Sequence, residues 1–150
     1  MNVIDGILST LKDLAKRINR LETQGQPTWV YLTAPLTSVD WDGDAHSTTA
    51  KTLIDLSVIF GAPAGIKAIL VHAVASDSGS VGAETYFGIS PNDTAGSSAL
   101  VCYLTGQVND WGVVDTGVCP CDSNGDIYYQ IVASGANTLD ATLRIWGYMI

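Results

Sequence analysis

The chain has 150 residues, of which 47% are apolar and 15% are charged, and its formal net charge at pH 7 is −8. This balance is typical of a globular protein and excludes a disordered chain. No apolar run approaches the roughly 18 residues of a membrane span, so we predict no membrane partner. The acidic balance would repel phosphate backbones, which excludes nucleic acid as a partner.

Charge is divided unevenly along the chain. Residues 1–24 carry four basic and three acidic side chains, whereas residues 25–150 carry three basic and twelve acidic ones. The N-terminal segment is therefore the least acidic part of the chain. We expect it to be the end that docks on other proteins.

The first predicted element is an N-terminal helix with the a/d pattern of a heptad. Steps of three and four residues alternate along its apolar stripe, which consists of Ile4, Ile7, Leu11, Leu14, Ile18 and Leu21. A helix this short is unstable alone in water, but it persists when identical copies bury the stripe against each other. Gly25 and Pro27 then end it. We predict a coiled-coil stem over residues 1–25.

The stem pattern favours a parallel trimer. Its a and d layers mix Ile and Leu, which does not single out a dimer, and Arg17 at g can pair with Glu22 at the following e of a neighbour. The run Arg17-Ile18-Asn19-Arg20-Leu21-Glu22 resembles the short trimerisation motif of parallel coiled coils, in which the Arg packs over the core and meets the Glu. The alternative is an amphipathic helix folded back on its own domain, with Leu8 widening the apolar face.

Residues 28–150 carry the signals of an all-β head. Strands are predicted, in chain order, at 29–32, 48–56, 66–75, 85–90, 99–104, 111–118, 127–133 and 138–148. Residues 50–60 can also be read as a helix, but their threonines favour a strand. The apolar segment 66–75 is expected to be buried on both faces. Such regular spacing predicts an antiparallel β-sandwich or jelly-roll head.

No set of residues for catalysis is evident. The chain has no Gly-x-Ser-x-Gly or His-Glu-x-x-His motif and only two histidines, which leaves little for acid–base chemistry. Its three cysteines, Cys102, Cys119 and Cys121, are odd in number, and the last two are too close for an easy bridge, which indicates assembly in a reducing cytoplasm. We predict a protein that is not an enzyme and needs no cofactor.

Two tryptophans beside carboxylates are candidates for ligand binding. Trp41 precedes Asp42, and Asp110 precedes Trp111, all of them in or beside predicted loops. An aromatic ring can stack on a sugar while the carboxylate accepts hydrogen bonds from its hydroxyls, so these four residues predict a glycan site. The alternative is that each tryptophan caps the core at a strand end.

Two acidic segments, 40–44 and 122–126, have the alternating oxygen ligands and the glycine that calcium sites use. Neither is closed by the Glu of an EF-hand loop, and Asp and Asn with Gly are also the commonest turn formers. We therefore predict turns and no metal, with Asp122, Asn124 and Asp126 as the alternative cation site.

A parallel stem leading directly into a Gly/Ser/Thr-rich β-domain resembles the trimeric fibre tips, spikes and capsid-decorating knobs of bacteriophage virions. The segments Trp41-Asp42-Gly43-Asp44 and Phe60-Gly61-Ala62-Pro63-Ala64-Gly65 are similar to phage structural proteins. The resemblance implies a homotrimeric virion component assembled in the host cytoplasm, whose helix meets other virion proteins. Its head would bind a host-surface glycan or decorate the shell. Two alternatives stay open: a carbohydrate-binding module of a cellular enzyme, and a glycan-hydrolysing fibre tip.

Overall fold

A computed structural model describes residues 3–23, 26–38, 41, 50–80 and 84–150. In that part of the chain it contains two helices and eight strands. Their bounds, in chain order, are α1 Val3–Thr23, β1 Trp29–Leu36, β2 Thr52–Ile54, α2 Leu56–Ile59, β3 Ala68–Asp77, β4 Tyr86–Ser90, β5 Leu100–Tyr103, β6 Val113–Pro120, β7 Ile127–Val132 and β8 Leu139–Met149.

The strands form two four-stranded sheets. Sheet A has the order β1-β8-β3-β6, and sheet B has the order β2-β7-β4-β5. Every pairing between these strands is antiparallel. Because successive strands alternate between the sheets except at β4 and β5, the order is that of an eight-stranded jelly roll. The prediction of a mainly β chain with antiparallel sheets is confirmed.

The core lies between the two sheets and follows from the period-two pattern of the strands. In β8 the side chains of Leu139, Ala141, Leu143 and Ile145 are buried, while those between them are exposed. β3 alternates between buried and half-buried residues. The expectation that this segment is buried on both faces is therefore wrong, because no other layer of the described residues covers the outer face of sheet A.

The strand predicted over residues 48–56 is short, and a helix of one turn follows it. Only Thr52–Ile54 forms β2, Leu56 begins α2, and residues 48 and 49 lie outside the described part. The Asp55 side chain caps α2 by accepting hydrogen bonds from the backbone N–H groups of Ser57 and Val58, both at 3.0 Å. The hydrogen bond from the Ser57 hydroxyl and these backbone bonds lower the pKa of Asp55. This cap starts the helix directly after β2, so the helical alternative for residues 50–60 holds only at 56–59.

Candidate functional site

The helix α1 presents its apolar stripe to solvent. The five stripe residues from Ile4 to Ile18 are 45% to 66% exposed, and Leu8 is exposed beside them. All the side chains from Ile4 to Arg20 are exposed except at Gly6, so the alternative in which the helix folds back on its own head is not observed. The side chains of Leu21 and Glu22 lie outside the described residues. No helix in the described part has the length and apolar content to cross a membrane.

An apolar surface, here called the sheet A patch, lies on the strand that follows the stem and on its neighbours. Trp29 and Tyr31 stack with their ring centroids 6.3 Å apart. Together with Leu70 and Val118 they line a hollow of about 160 Å³. Tyr31 and Leu70 both pair with Gly147, which has no side chain to fill the space between them. The patch is therefore open and apolar.

Trp41 is buried in the core. Its ring packs against Phe60, Phe87 and Tyr129 at centroid distances of 5.5 to 6.5 Å, and it is only 8% exposed. The prediction that Trp41 offers a sugar platform is wrong, because the side chain is part of the hydrophobic core. Asp42 lies outside the described residues.

Asp110 and Trp111 remain accessible. Both side chains are exposed in the loop between β5 and β6. The Asp110 N–H donates to the carbonyl of Asp77 and the Trp111 N–H donates to the carbonyl of Val108, each at 3.0 Å. These bonds fix the backbone and leave the indole ring in solvent. Asp110 and Trp111 therefore stay a predicted ligand site, without Trp41, which lies in the core.

The segment 122–126 is a turn stabilised by its own carboxylates. Asp122 Oδ1 accepts from the N–H groups of Asn124 and Asp126 at 2.8 and 3.0 Å. Asp126 Oδ1 accepts from the Leu56 N–H at 3.1 Å, which ties the turn to α2. Burial raises the pKa of Asp126, and the carboxylates of Asp55 and Asp122 raise it further. Among the described residues, no three His, Cys, Asp or Glu side chains form a group suited to a metal ion.

The three thiols are free and largely buried. Cys102 and Cys119 are buried and Cys121 is half-buried. Burial raises the pKa of Cys102 to about 11 and the pKa values of Cys119 and Cys121 to about 12. Since the thiolate is the nucleophile and the metal-binding form, burial and the raised pKa values both lower the reactivity of these groups at neutral pH.

The outer face of sheet B carries a polar groove that the sequence did not reveal. Tyr86 of β4 and Tyr103 of β5 lie side by side, with ring centroids 6.1 Å apart. One hollow of about 300 Å³ is bordered by these rings and by Glu84, Ser98 and Gln130. We call these five residues the sheet B groove. A second hollow of about 470 Å³ adjoins it and shares Tyr86 and Gln130.

The loop between β4 and β5 lies against the sheet B groove and is held in place by Lys51. The Lys51 ammonium donates to the carbonyl of Thr94 and the hydroxyl of Ser97, both at 2.7 Å, and to the carbonyl of Asn92 at 3.4 Å. The Asn92 side chain in turn accepts from the Thr94 N–H and the Ser97 hydroxyl. A network of hydrogen bonds thus fixes the conformation of the loop.

Comparison with known proteins finds no matching family model and no matching curated protein. Among solved structures, the chain is similar to a capsid structure of Helicobacter pylori bacteriophage KHP30, with a TM-score of 0.40, 13% identity and coverage of 83% of this chain and 94% of that one. It is similar to a nora virus structure with a TM-score of 0.39 and 8% identity, covering 83% of this chain and 59% of that one.

A carbohydrate-binding module from glycoside hydrolase family 9 (Cel9A) of Ruminococcus flavefaciens matches with a TM-score of 0.31 and 15% identity, covering 81% of this chain and 98% of that one. The neighbours thus include viral structural proteins and carbohydrate-binding modules. At this level of similarity, none of their functions transfers to the chain.

Proposed function

We propose that the chain is a non-enzymatic structural protein of a virion, a homotrimer with α1 as its parallel coiled-coil stem and residues 28–150 as its head. The exposed apolar stripe of α1 carries the proposal. A lone helix of this length is marginal in water, whereas each stripe side chain buried in a seam contributes about 1.5–3 kcal/mol. In this arrangement the stem meets other virion proteins, and the acidic head points outward to bind a host-surface glycan or to decorate the shell.

The sheet A patch supports the same assembly. Five residues separate Thr23 at the end of α1 from Trp29, and such a segment spans at most about 20 Å. A parallel stem therefore holds three copies of the patch near one axis, where Tyr31 and Val118 of neighbouring heads can withdraw apolar surface from water.

Light scattering on the full chain tests the stem. We expect three times the chain mass of 15.8 kDa at micromolar concentration. Leu11→Asp places a charge in the seam and should give monomers with reduced helix content by circular dichroism, whereas Ser9→Asp adds the same charge on the opposite face of α1 and should remain trimeric. A monomeric wild-type chain refutes the oligomer, and a dimer or tetramer refutes the trimer.

A matched pair of variants tests the sheet A patch. Val118 on the edge strand β6 is 48% exposed, and Leu53 on the edge strand β2 of the other sheet is 45% exposed. Val118→Asp should lower the Tm of the trimer more than Leu53→Asp does, because only Val118 faces a neighbouring head. Equal changes in Tm would remove the patch from the interface.

The place of the protein in the particle is tested by co-purification with capsid or tail proteins. Absence from purified particles contradicts the virion role and favours a carbohydrate-binding module of a cellular enzyme. Release of reducing ends from a host polysaccharide contradicts the non-enzymatic role and favours a glycan-hydrolysing tip.

A further inference from the structure

We infer that the sheet B groove binds a neutral glycan. The inference deepens the proposed function, on which it rests for the biological role of the head, and it names residues other than the tryptophans that the sequence suggested.

A glycine in the middle of the sheet sets the position of Ser98 at the border of the groove. Gly88 pairs with Val101 on one side and with Gln130 on the other. A Cβ at Gly88 would lie 3.3 Å from the Ser98 hydroxyl oxygen. The absence of a side chain at this position lets Ser98 lie against the sheet, where it borders the groove. Concave surfaces with a few convergent polar groups are the usual form of small-molecule sites.

Two tyrosines supply an aromatic wall. Tyr103 is 65% exposed, and Tyr86 is half-buried beside it. An exposed ring of this kind offers an apolar face to the C–H side of a pyranose, while its hydroxyl stays available for hydrogen bonding. Burial raises the pKa of Tyr86, and the Glu84 carboxylate adds to the rise. The phenol therefore keeps its proton and can donate a hydrogen bond.

The remaining border of the groove suits hydroxyl groups. The Gln130 amide has both donors and an acceptor, Ser98 has a hydroxyl, and Glu84 has an acceptor carboxylate. A sugar ring presents an apolar face and a rim of hydroxyls that act as both donor and acceptor. The mixture of one aromatic wall and several short polar groups matches that pattern.

Charge selects a neutral ligand. Glu84 borders one hollow and Asp93 borders the other. Among the described residues that line the two hollows, Lys51 is the basic one, and its ammonium donates to three oxygens of the β4–β5 loop. The field at the groove is therefore negative, and a sialylated or sulfated glycan would be repelled. Because Lys51 already holds the loop, binding of a ligand costs little conformational entropy for ordering it.

An array of neutral and sialylated oligosaccharides, probed with the full chain, tests the inference. We expect binding to neutral members only. The soluble form of the oligosaccharide bound best is then titrated against variants by calorimetry. Tyr103→Ala should weaken its affinity by at least about tenfold, whereas Val108→Ala, which shortens a side chain that is 70% exposed outside the groove, should leave it unchanged. Unaltered circular dichroism and Tm show that each variant is folded.

The outcomes separate this inference from the proposed function. A trimer that binds no member of the array overturns the groove and leaves the stem intact, whereas a monomer that binds through Tyr103 overturns the trimer and leaves the groove intact. Loss of affinity in Trp111→Ala but not in Tyr103→Ala places the site at Asp110 and Trp111 and overturns the groove. A preference for sialylated members overturns the charge argument and, with it, the assignment of a neutral glycan.

Discussion

Replacing Asp77 by alanine should be among the most destabilising single changes in the head. Asp77 ends β3, is buried, and accepts hydrogen bonds from the N–H of Gly79 at 2.7 Å, from the N–H and the hydroxyl of Ser134, and from the hydroxyl of Thr138 at 3.0 Å. In Asp77→Ala the two hydroxyls, which lie 3.1 Å apart, can still bond to each other. The two N–H groups lose their partner, and we expect the free energy of unfolding to fall by about 3–5 kcal/mol.

Urea unfolding at one fixed protein concentration measures this loss, with Asp115→Ala as the control. Asp115 accepts one hydrogen bond, from the Val101 N–H at 3.0 Å, so its replacement should cost only about 1 kcal/mol. If Asp77→Ala lowers the free energy of unfolding no more than Asp115→Ala does, the hydrogen bonds that Asp77 accepts from Gly79, Ser134 and Thr138 do not stabilise the head.

The same network predicts a pH dependence. Burial raises the pKa of Asp77, but the hydrogen bonds from Ser134, Gly79 and Thr138 outweigh burial and leave the pKa below its ordinary value of 3.8. A carboxylate with a lowered folded-state pKa contributes stability that is fully present above the unfolded-state pKa and is lost as the pH falls through the folded-state value. Asp77→Asn should therefore flatten the decline in unfolding free energy below about pH 4.

Two further substitutions and one labelling experiment test the structure of the head. Asp126→Asn should raise the free energy of unfolding at pH 7 and leave it unchanged at pH 3. The raised pKa of Asp126 means that its ionised form destabilises the folded state, and Asp126 is ionised at pH 7 but protonated at pH 3. An equal change at both pH values contradicts this. Gly125→Ala should lower the free energy of unfolding more than Gly96→Ala does in the same urea assay. Both glycines have positive φ, but only at Gly125 would a Cβ meet backbone, 2.8 Å from the Gly65 nitrogen. Cys102 and Cys119, which are buried, should react with a thiol reagent at pH 7 only as fast as the head unfolds, and faster labelling would show that they are accessible.

The sequence predicted those parts of the fold that depend on local pattern. The alternation in β8 and the heptad of α1 are both visible in the order of residues, and both elements form where they were expected. The short helix α2 lies within the helical alternative for residues 50–60, which was set aside because of the threonines before it, and the Asp55 cap starts the helix only at Leu56. The outer face of β3 was assigned to the interior because an apolar run carries no information about how many layers will cover it.

The candidate sites were harder to predict because they depend on strand pairing. Trp41 stands in a polar stretch of sequence, yet its ring reaches Phe87 and Tyr129 of sheet B, and that contact requires the whole sandwich. Tyr86 and Tyr103 look like ordinary strand residues until the register places them opposite each other. The position of Ser98 depends on pairing in the same way, since Ser98 lies over Gly88, which pairs with Val101 and Gln130.

The stem and the groove make one joint prediction about binding to surfaces. A shallow polar groove with one exposed ring gives a single site of millimolar order, whereas three such sites on one stem can strengthen attachment by a factor of about 100 to 10,000. Leu11→Asp should therefore leave the affinity for a soluble oligosaccharide unchanged but abolish retention on a glycan-coated surface. Tyr103→Ala should weaken both, and Ser9→Asp should weaken neither. If Leu11→Asp is retained on the surface as well as the wild type, the stem does not act through multivalency, whatever the mass of the assembly.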